Sequence, residues 1–428
     1  MITSTDASRI ATRLEAEVRT WVLQGFAPHY GRGAEGVESN PRWKALRDLG
    51  TELWLDTGDL KGSSALWTRE FTALTTNNTL LNKEVQRGQY DDLVRRTAAR
   101  LRELDPRLPD ELLVLEIGFV LNAWHGLRLV EAYDAYVSVE EHTDLATDAD
   151  LAVLYGKRFH AICPERFFVK LPLTPAGLLG MRRLGRDGVP VNFTLGFSAR
   201  QNYLAARLGG PSYVNVFLGR LNSFVADSKL GSGDGVGEKA TAASQEAIGE
   251  LRRSGAAPTR QIAASMRSGE QVWTLAGVDV MTIPLQAAQE YRDAAQPPAR
   301  RRGPSAVEIR PGIEPDALEQ LHLDRLWDVP PGFRAAVDAL LRQDLDAMSG
   351  PQLVAFLESH GITDLFPHYS AEEQEAIRTE GKIPKLERWQ RRLEAGTTSL
   401  DSLLNVSGLA SFATDQKALD DRIRAQLG

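Results

Sequence analysis

A single cysteine, Cys163, leaves the 428-residue chain no internal partner for a disulfide, as suits a reducing cytosol. An excess of positive charge is also missing. Fifty Lys and Arg face 57 Asp and Glu, the net charge is −7, and no basic stripe offsets it, which excludes nucleic acid as the main partner. No apolar run approaches the length of a membrane span, so no membrane segment is expected. The start, Met1-Ile2-Thr3-Ser4-Thr5-Asp6, has neither a basic end nor an apolar core, so no signal peptide is expected either. Beside Glu140-Glu141-His142 no second histidine has ligand spacing, and no metal or other cofactor is expected. What is present, 43% hydrophobic and 25% charged residues, is the balance of a soluble globular protein, here placed in the cytoplasm.

Taken in order, the chain alternates short apolar runs with helical patterns. Ile10, Leu14, Val18, Trp21 and Val22 mark an amphipathic first helix, and a short helix follows near residues 42–49. Strands are expected at 53–56, 72–76, 136–140, 167–170, 191–195, 213–218, 260–265 and 278–283. Helices are expected between most of them, including 83–104 and 110–132, with Asp110 as the N-cap of the second. Eight strands alternating with helices predict an α/β fold, a (β/α)8 barrel, against a doubly wound sheet as the competing architecture. The expected division is a helical leader (1–49), the barrel (50–295), a Pro/Gly/Arg-rich linker (296–305) and a helical extension (306–428). In the extension, helices are expected at 316–327, 333–348, 352–360, 371–394 and 417–427. Ser370 and Glu373 form a capping box, and Pro384 breaks or kinks the helix around it. No repeat of fixed period is present.

The chemistry centres on Phe167-Phe168-Val169-Lys170-Leu171-Pro172, a buried-strand pattern that ends in one lysine. A strand-end lysine ordinarily snorkels to solvent. Held in a dry barrel mouth, its ammonium would be disfavoured and the amine made available as a nucleophile. The other strand ends carry Asp56, Asn77, Glu140, Asn192, Thr194, Asn215 and Ser265. Such a polar ring suits Schiff-base carbon–carbon chemistry. The amine adds to a ketone, water leaves to give an iminium, and carboxylates move the protons.

Seven segments carry a resemblance: Leu55-Asp56-Thr57-Gly58-Asp59, Thr75-Thr76-Asn77, Val137-Ser138-Val139-Glu140, Phe168-Val169-Lys170-Leu171-Pro172, Asn192-Phe193-Thr194-Leu195, Phe217-Leu218-Gly219-Arg220 and Ala264-Ser265-Met266-Arg267. In order and rough spacing, residues 50–292 resemble the transaldolases, class I aldolase-type barrels. The resemblance implies transfer of a dihydroxyacetone unit between sugar phosphates, the usual ones being those of the pentose phosphate pathway. It implies that Lys170 forms the Schiff base and that Asp56 is the acid/base carboxylate. Glu140 and Thr194 would position the catalytic water, while Asn77 and Asn192 would hold donor hydroxyls and the iminium. Arg220 and Arg267 would bind phosphate, with Ser265 beside the second; a guanidinium fork suits that anion.

The chain departs from the family pattern at two of these motifs. Asn78 stands where a proline is usual, and Asn215, followed by Val216, where a serine beside the donor is usual. A longer side chain at Asn215 alters which sugar fits or where its hydroxyl points. Among blander segments, Gly231-Ser232-Gly233-Asp234-Gly235-Val236-Gly237-Glu238-Lys239 is not a P-loop, because Glu238 interrupts the pattern. It reads as a mobile loop near the substrate's phosphate. Arg300-Arg301-Arg302 reads as solvated linker, and Asp59 as the cap of its own turn. Aldol cleavage through the same lysine stays open beside transfer. A reading of another class is a weakly catalytic barrel that serves as a scaffold for its tail. The short linker and the apolar helix faces with Leu318, Leu321, Leu326, Leu340 and Leu341 predict that the tail is an all-helical layer packed on the barrel rather than an independent domain, while shaping the pocket mouth and forming a homodimer contact stay open as its roles.

Overall fold

The computed structural model describes residues 4–31, 33, 36–298, 303 and 305–427, and Arg300-Arg301-Arg302 of the expected linker lies outside them. Two helices, α1 (Ser4–Val22) and α2 (Pro41–Asp48), precede the sheet. The strands are β1 (Glu52–Asp56), β2 (Phe71–Thr75), β3 (Tyr136–Glu140), β4 (Phe167–Pro172), β5 (Val191–Thr194), β6 (Tyr213–Phe217), β7 (Arg260–Ala264) and β8 (Val280–Pro284). They pair in parallel and in sequence order, and β8 returns to β1 to close the barrel. The doubly wound alternative is thereby excluded.

Helix α3 (Leu60–Ser64) follows β1, and α4 (Asn78–Gln86), α5 (Asp91–Leu104) and α6 (Asp110–Tyr133) follow β2. Then come α7 (Ala149–Ile162), α8 (Pro175–Arg186) and α9 (Ala199–Gly209), one after each of β3 to β5. Helices α10 (Leu218–Asp227) and α11 (Val236–Arg253) follow β6, and α12 (Gly269–Thr274) and α13 (Leu285–Asp293) follow β7 and β8. Beyond them lie α14 (Pro315–Gln320), α15 (Pro331–Leu340), α16 (Gly350–Ser359), α17 (Ala371–Glu380), α18 (Leu386–Glu394) and α19 (Leu400–Ala425).

Several expectations need correction. The helix expected over 83–104 is two helices, separated at Gly88, whose φ of +81° lies in the left-handed region that ends a helix. Pro109 is the N-cap of α6 and Asp110 its first residue. By length and composition α6 is apolar enough to cross a membrane, contrary to the expectation of no such run, but 83% of its most apolar stretch is buried inside the protein. The chain from 333 to 348 is helical only to Leu340, and residues 316–327 divide into α14 and a short 3₁₀ turn. Pro384 does separate α17 from α18, and Ser370 with Glu373 does form the capping box. The largest miss is α19, read only from 417 although it begins at Leu400.

Alternate strand residues point into a barrel, which makes two layers of it decisive here. At the N-terminal end Trp54 stacks on Phe168 at 5.6 Å and meets Tyr213 edge-on at 4.7 Å. This aromatic plug closes the floor. Two residues further along β1 and β4 come Asp56 and Lys170, so the same alternation lifts both into the layer above the plug.

The helices after residue 306 lie on the barrel rather than beside it. Arg200 of α9 is buried and bonds Asp364 (2.8 Å) and Asp401 (2.9 Å), and Asp364 also receives Arg325 (2.9 Å). Burial alone would raise the Asp401 carboxyl, but the Arg200 charge and hydrogen bonds hold it below its ordinary value. One hydrophobic cluster runs from barrel residues such as Leu171 to Leu403 and Phe412 of α19. Arg200→Met is expected to strand two buried carboxylates and to cost roughly 3–5 kcal/mol, read by urea denaturation. A cost of only about 0–1 kcal/mol, typical of a surface pair, would show the network to be dispensable.

Candidate active site

The C-terminal strand ends open into a cavity of about 390 Å³. Asp56, Asn77, Lys170, Asn192, Thr194, Asn215, Arg220, Ser265 and Arg267 all line it, so nine of the ten residues singled out in the sequence meet in one place. Glu140 stands apart from that lining. It lies behind Lys170, with Oε1 3.6 Å from the lysine Nζ, and borders a smaller recess with Asn122, His142 and Gln416.

Lys170 is only 4% exposed, and its Nζ donates to the Thr76 carbonyl at 3.1 Å. The two carboxylates around it are held differently. Asp56 accepts from the Thr75 hydroxyl at 2.7 Å, and Thr75 also meets the Thr282 hydroxyl. Burial pushes the Asp56 carboxyl above its ordinary value, against the pull of Lys170 and Thr75. Glu140 is raised by burial too, opposed by Lys170 and by the Asn78 backbone N–H, which donates to Oε2 at 3.0 Å. The departure at Asn78 thus acquires a physical content. A proline there would have no N–H to give, and the Asn78 side chain further donates to the Glu141 carbonyl at 3.0 Å.

The amides form a chain across the strands. Asn215 Nδ2 donates to Asn192 Oδ1 at 3.3 Å, and Asn192 Nδ2 donates to the Ser138 hydroxyl at 3.0 Å. Asn215 therefore orients Asn192, while its own Oδ1 and the Thr194 hydroxyl are buried without a hydrogen-bond partner among the described residues. Such atoms are costly unless a ligand satisfies them. Asn77 accepts from the Leu80 N–H at 2.8 Å, capping α4 while its side chain borders the cavity.

Gly219 accounts for the placing of Arg267. A Cβ on it would sit 2.2 Å from the Ser265 carbonyl oxygen and 2.8 Å from Arg267 Cγ, so only glycine lets that strand end and stem pass. Ser265 itself sits at φ +62°, an uncommon conformation for a residue with a Cβ.

Residues 53–328 match the family described as transaldolase/fructose-6-phosphate aldolase. The chain belongs to that family. A probable transaldolase of Exiguobacterium sibiricum is 38% identical over 158 residues, 36% of this chain and 65% of the relative. A transaldolase of Xanthomonas euvesicatoria pv. vesicatoria is 30% identical over 247 residues, 56% of this chain and 74% of the relative. A probable transaldolase of Thermus thermophilus is 40% identical over 164 residues, 38% of this chain and 66% of the relative. The chain thus spans slightly under two thirds of the length of two of these relatives.

Other cavity residues escaped the sequence reading. Ser411, Phe412 and Asp415 of α19, Lys382 of the turn between α17 and α18, and Lys83 of α4 line the same space. The Phe412 ring centre is 5.9 Å from Lys170 Nζ and 5.6 Å from Arg220 Cζ. A signal was present in the sequence: Asn405, Gly408, Ser411, Phe412 and Asp415 recur at three- and four-residue spacing, one face of a helix. The expectation for the glycine-rich loop was wrong in place. Gly233 N–H donates to the Gly312 carbonyl (2.9 Å) and Gly312 N–H to the Asp234 carbonyl (2.7 Å), and no residue of the loop lines the cavity. Asp59 does cap its turn, accepting from the Lys61 and Gly62 N–H groups.

The raised Asp56 carboxyl has a consequence for stability. The native state holds its proton to higher pH than the unfolded chain, so this group's contribution falls as pH rises from the ordinary carboxylate value through the raised one. Asp56→Asn is expected to melt no lower than the parent at pH 7, with the difference shrinking towards pH 4. A variant clearly less stable at pH 7 than at pH 4, relative to the parent, would reverse that sign.

Proposed function

We propose that this family member transfers a dihydroxyacetone unit from a ketose phosphate to an aldose phosphate through a Schiff base on Lys170. The observation that carries the reading is the setting of Lys170 Nζ. It is buried at the floor of an open polar cavity, against Glu140 on one side and within the field of Asp56 on the other.

In this reading the amine adds to the C2 carbonyl of the ketose and passes a proton to the neighbouring carboxylate and its water. Loss of water leaves the iminium. Asp56 then takes the proton of the C4 hydroxyl as the C3–C4 bond breaks, and its electrons flow into the iminium to give an enamine. The released aldehyde leaves, a second aldose enters, and the same steps run in reverse. Asn192, oriented by Asn215 and Ser138, supports the nitrogen and donor hydroxyls, and Thr194 with Glu140 holds the water. Arg220 and Arg267 take the phosphate.

Transfer and aldol cleavage share the lysine and differ in whether water or an aldose releases the donor. Phe412 favours transfer, because its ring lies over Lys170 and keeps solvent from the bound three-carbon unit.

Borohydride reduction with fructose 6-phosphate, followed by intact-mass spectrometry, tests the chemistry. A three-carbon adduct is expected on the parent and none on Lys170→Ala. An adduct of the whole sugar would mean imine formation without cleavage, and no adduct with any ketose phosphate would overturn the Schiff-base reading.

A further inference from the structure

Positive charge accumulates in the cavity away from Lys170. Lys83, Arg220, Arg267 and Lys382 line it with Lys170, against the carboxylates Asp56 and Asp415. Asp415 accepts a hydrogen bond from the Thr79 hydroxyl. Arg220, Arg267 and Lys382 make no ion pair among the described residues. Arg220 is the most constrained of them. It is 6% exposed, and its Nη1 is buried with no hydrogen-bond partner among the described residues. Burial first, then the like charge of Arg267, lowers it to about 10. Burial also lowers Lys382, followed by the charges of Arg267, Arg220 and Lys83. Cations crowded around one cavity, with a buried guanidinium among them that lacks a full set of partners, are in the state that an anion relieves.

The position of Lys382 is fixed by the extension, 54 residues past the end of the family match at 328. Gly381, at φ +80°, ends α17, Pro384 lies in the turn before α18, and that turn carries Lys382 to the cavity. Helix α19 comes as close as a glycine allows. A Cβ on Gly408 would lie 2.7 Å from Arg220 Nη1 and 2.9 Å from Leu195 Cδ2, and Asn405 Nδ2 donates to the Leu195 carbonyl at 2.9 Å.

We propose that Lys382 is a third cation of the phosphate site formed with Arg220 and Arg267, so that the helical extension sets the enzyme's preference for phosphorylated sugars. The identity of the sugar rests on the transfer reading above, whereas the anion site does not. Lys382 acts as a mobile point charge, which complements the two planar forks and accepts a phosphate in more than one pose.

The test uses the full chain and inorganic phosphate as probe, in titration calorimetry at low ionic strength. Lys382→Met is expected to weaken phosphate binding about tenfold, Lys382→Arg to retain it, and Lys385→Met, on an exposed neighbour outside the cavity, to leave it unchanged. Melting temperatures of all three should match the parent. In turnover, Lys382→Met should raise KM for fructose 6-phosphate about tenfold with kcat held, and leave unphosphorylated fructose unaffected. Equal phosphate binding by the parent and Lys382→Met, equal loss in Lys385→Met, or no phosphate binding by the parent would each overturn the proposal. Because calorimetry needs no Schiff base, failure of the borohydride experiment and failure of this one are read separately.

Discussion

A lysine and two acidic side chains enclosed at the mouth of a parallel barrel set the terms for everything around them. Each charge gives up water, and each must be repaid locally by hydrogen bonds and by its neighbours. Lys170 finds the Thr76 carbonyl and Glu140, Glu140 finds the Asn78 N–H, and Asp56 finds Thr75. Even so, burial wins at both carboxylates, and both stand above their ordinary values. Carboxyl groups raised in this way are suited to the acid/base role proposed for them. The aromatic plug of Trp54, Phe168 and Tyr213 keeps the layer beneath dry, so none of this is relieved from below.

The extension answers a second problem, which is how to roof such a site. A barrel mouth is open by construction, and its loops are the usual cover. Here the cover is one long helix, α19, held down by buried charge at Arg200, Asp364 and Asp401 and by the His142–Asp420 contact at 3.2 Å. Since Phe412 lies near Lys170 and Arg220 together, the roof meets the cavity at both of these cations.

The strands and their polar ends were legible because a parallel barrel writes itself locally. A short apolar run with a helix after it repeats eight times, and seven of the eight units supply a residue of the polar ring. Lys170, Asp56 and the asparagines follow from that pattern. Helix α19 was legible only in its last turns, because residues 400–416 are buried on several sides. Leu403, Leu404, Phe412 and the polar Asp401, Ser402 and Ser407 are all enclosed, so no apolar stripe faces a polar one. The glycine-rich loop misled for the opposite reason. Its composition suggested freedom, while its partner, residues 310–313, lies far along the chain.

The sequence by itself determined the eight alternating strand–helix units, the family resemblance and which strand ends carry polar residues, since the units and their polar ends are each written in a short local stretch, while closure of the sheet into a barrel was decided by the pairing of β8 with β1. Tertiary structure alone decided that Glu140 approaches from behind Lys170 rather than from the cavity, that Asn215 steers Asn192, and that Lys382 and Phe412 belong to the site. Those relations join residues up to 242 positions apart, as Phe412 is from Lys170. Only the packing of α19 across the barrel, fixed by charges that pair only when both surfaces are buried, brings them within reach.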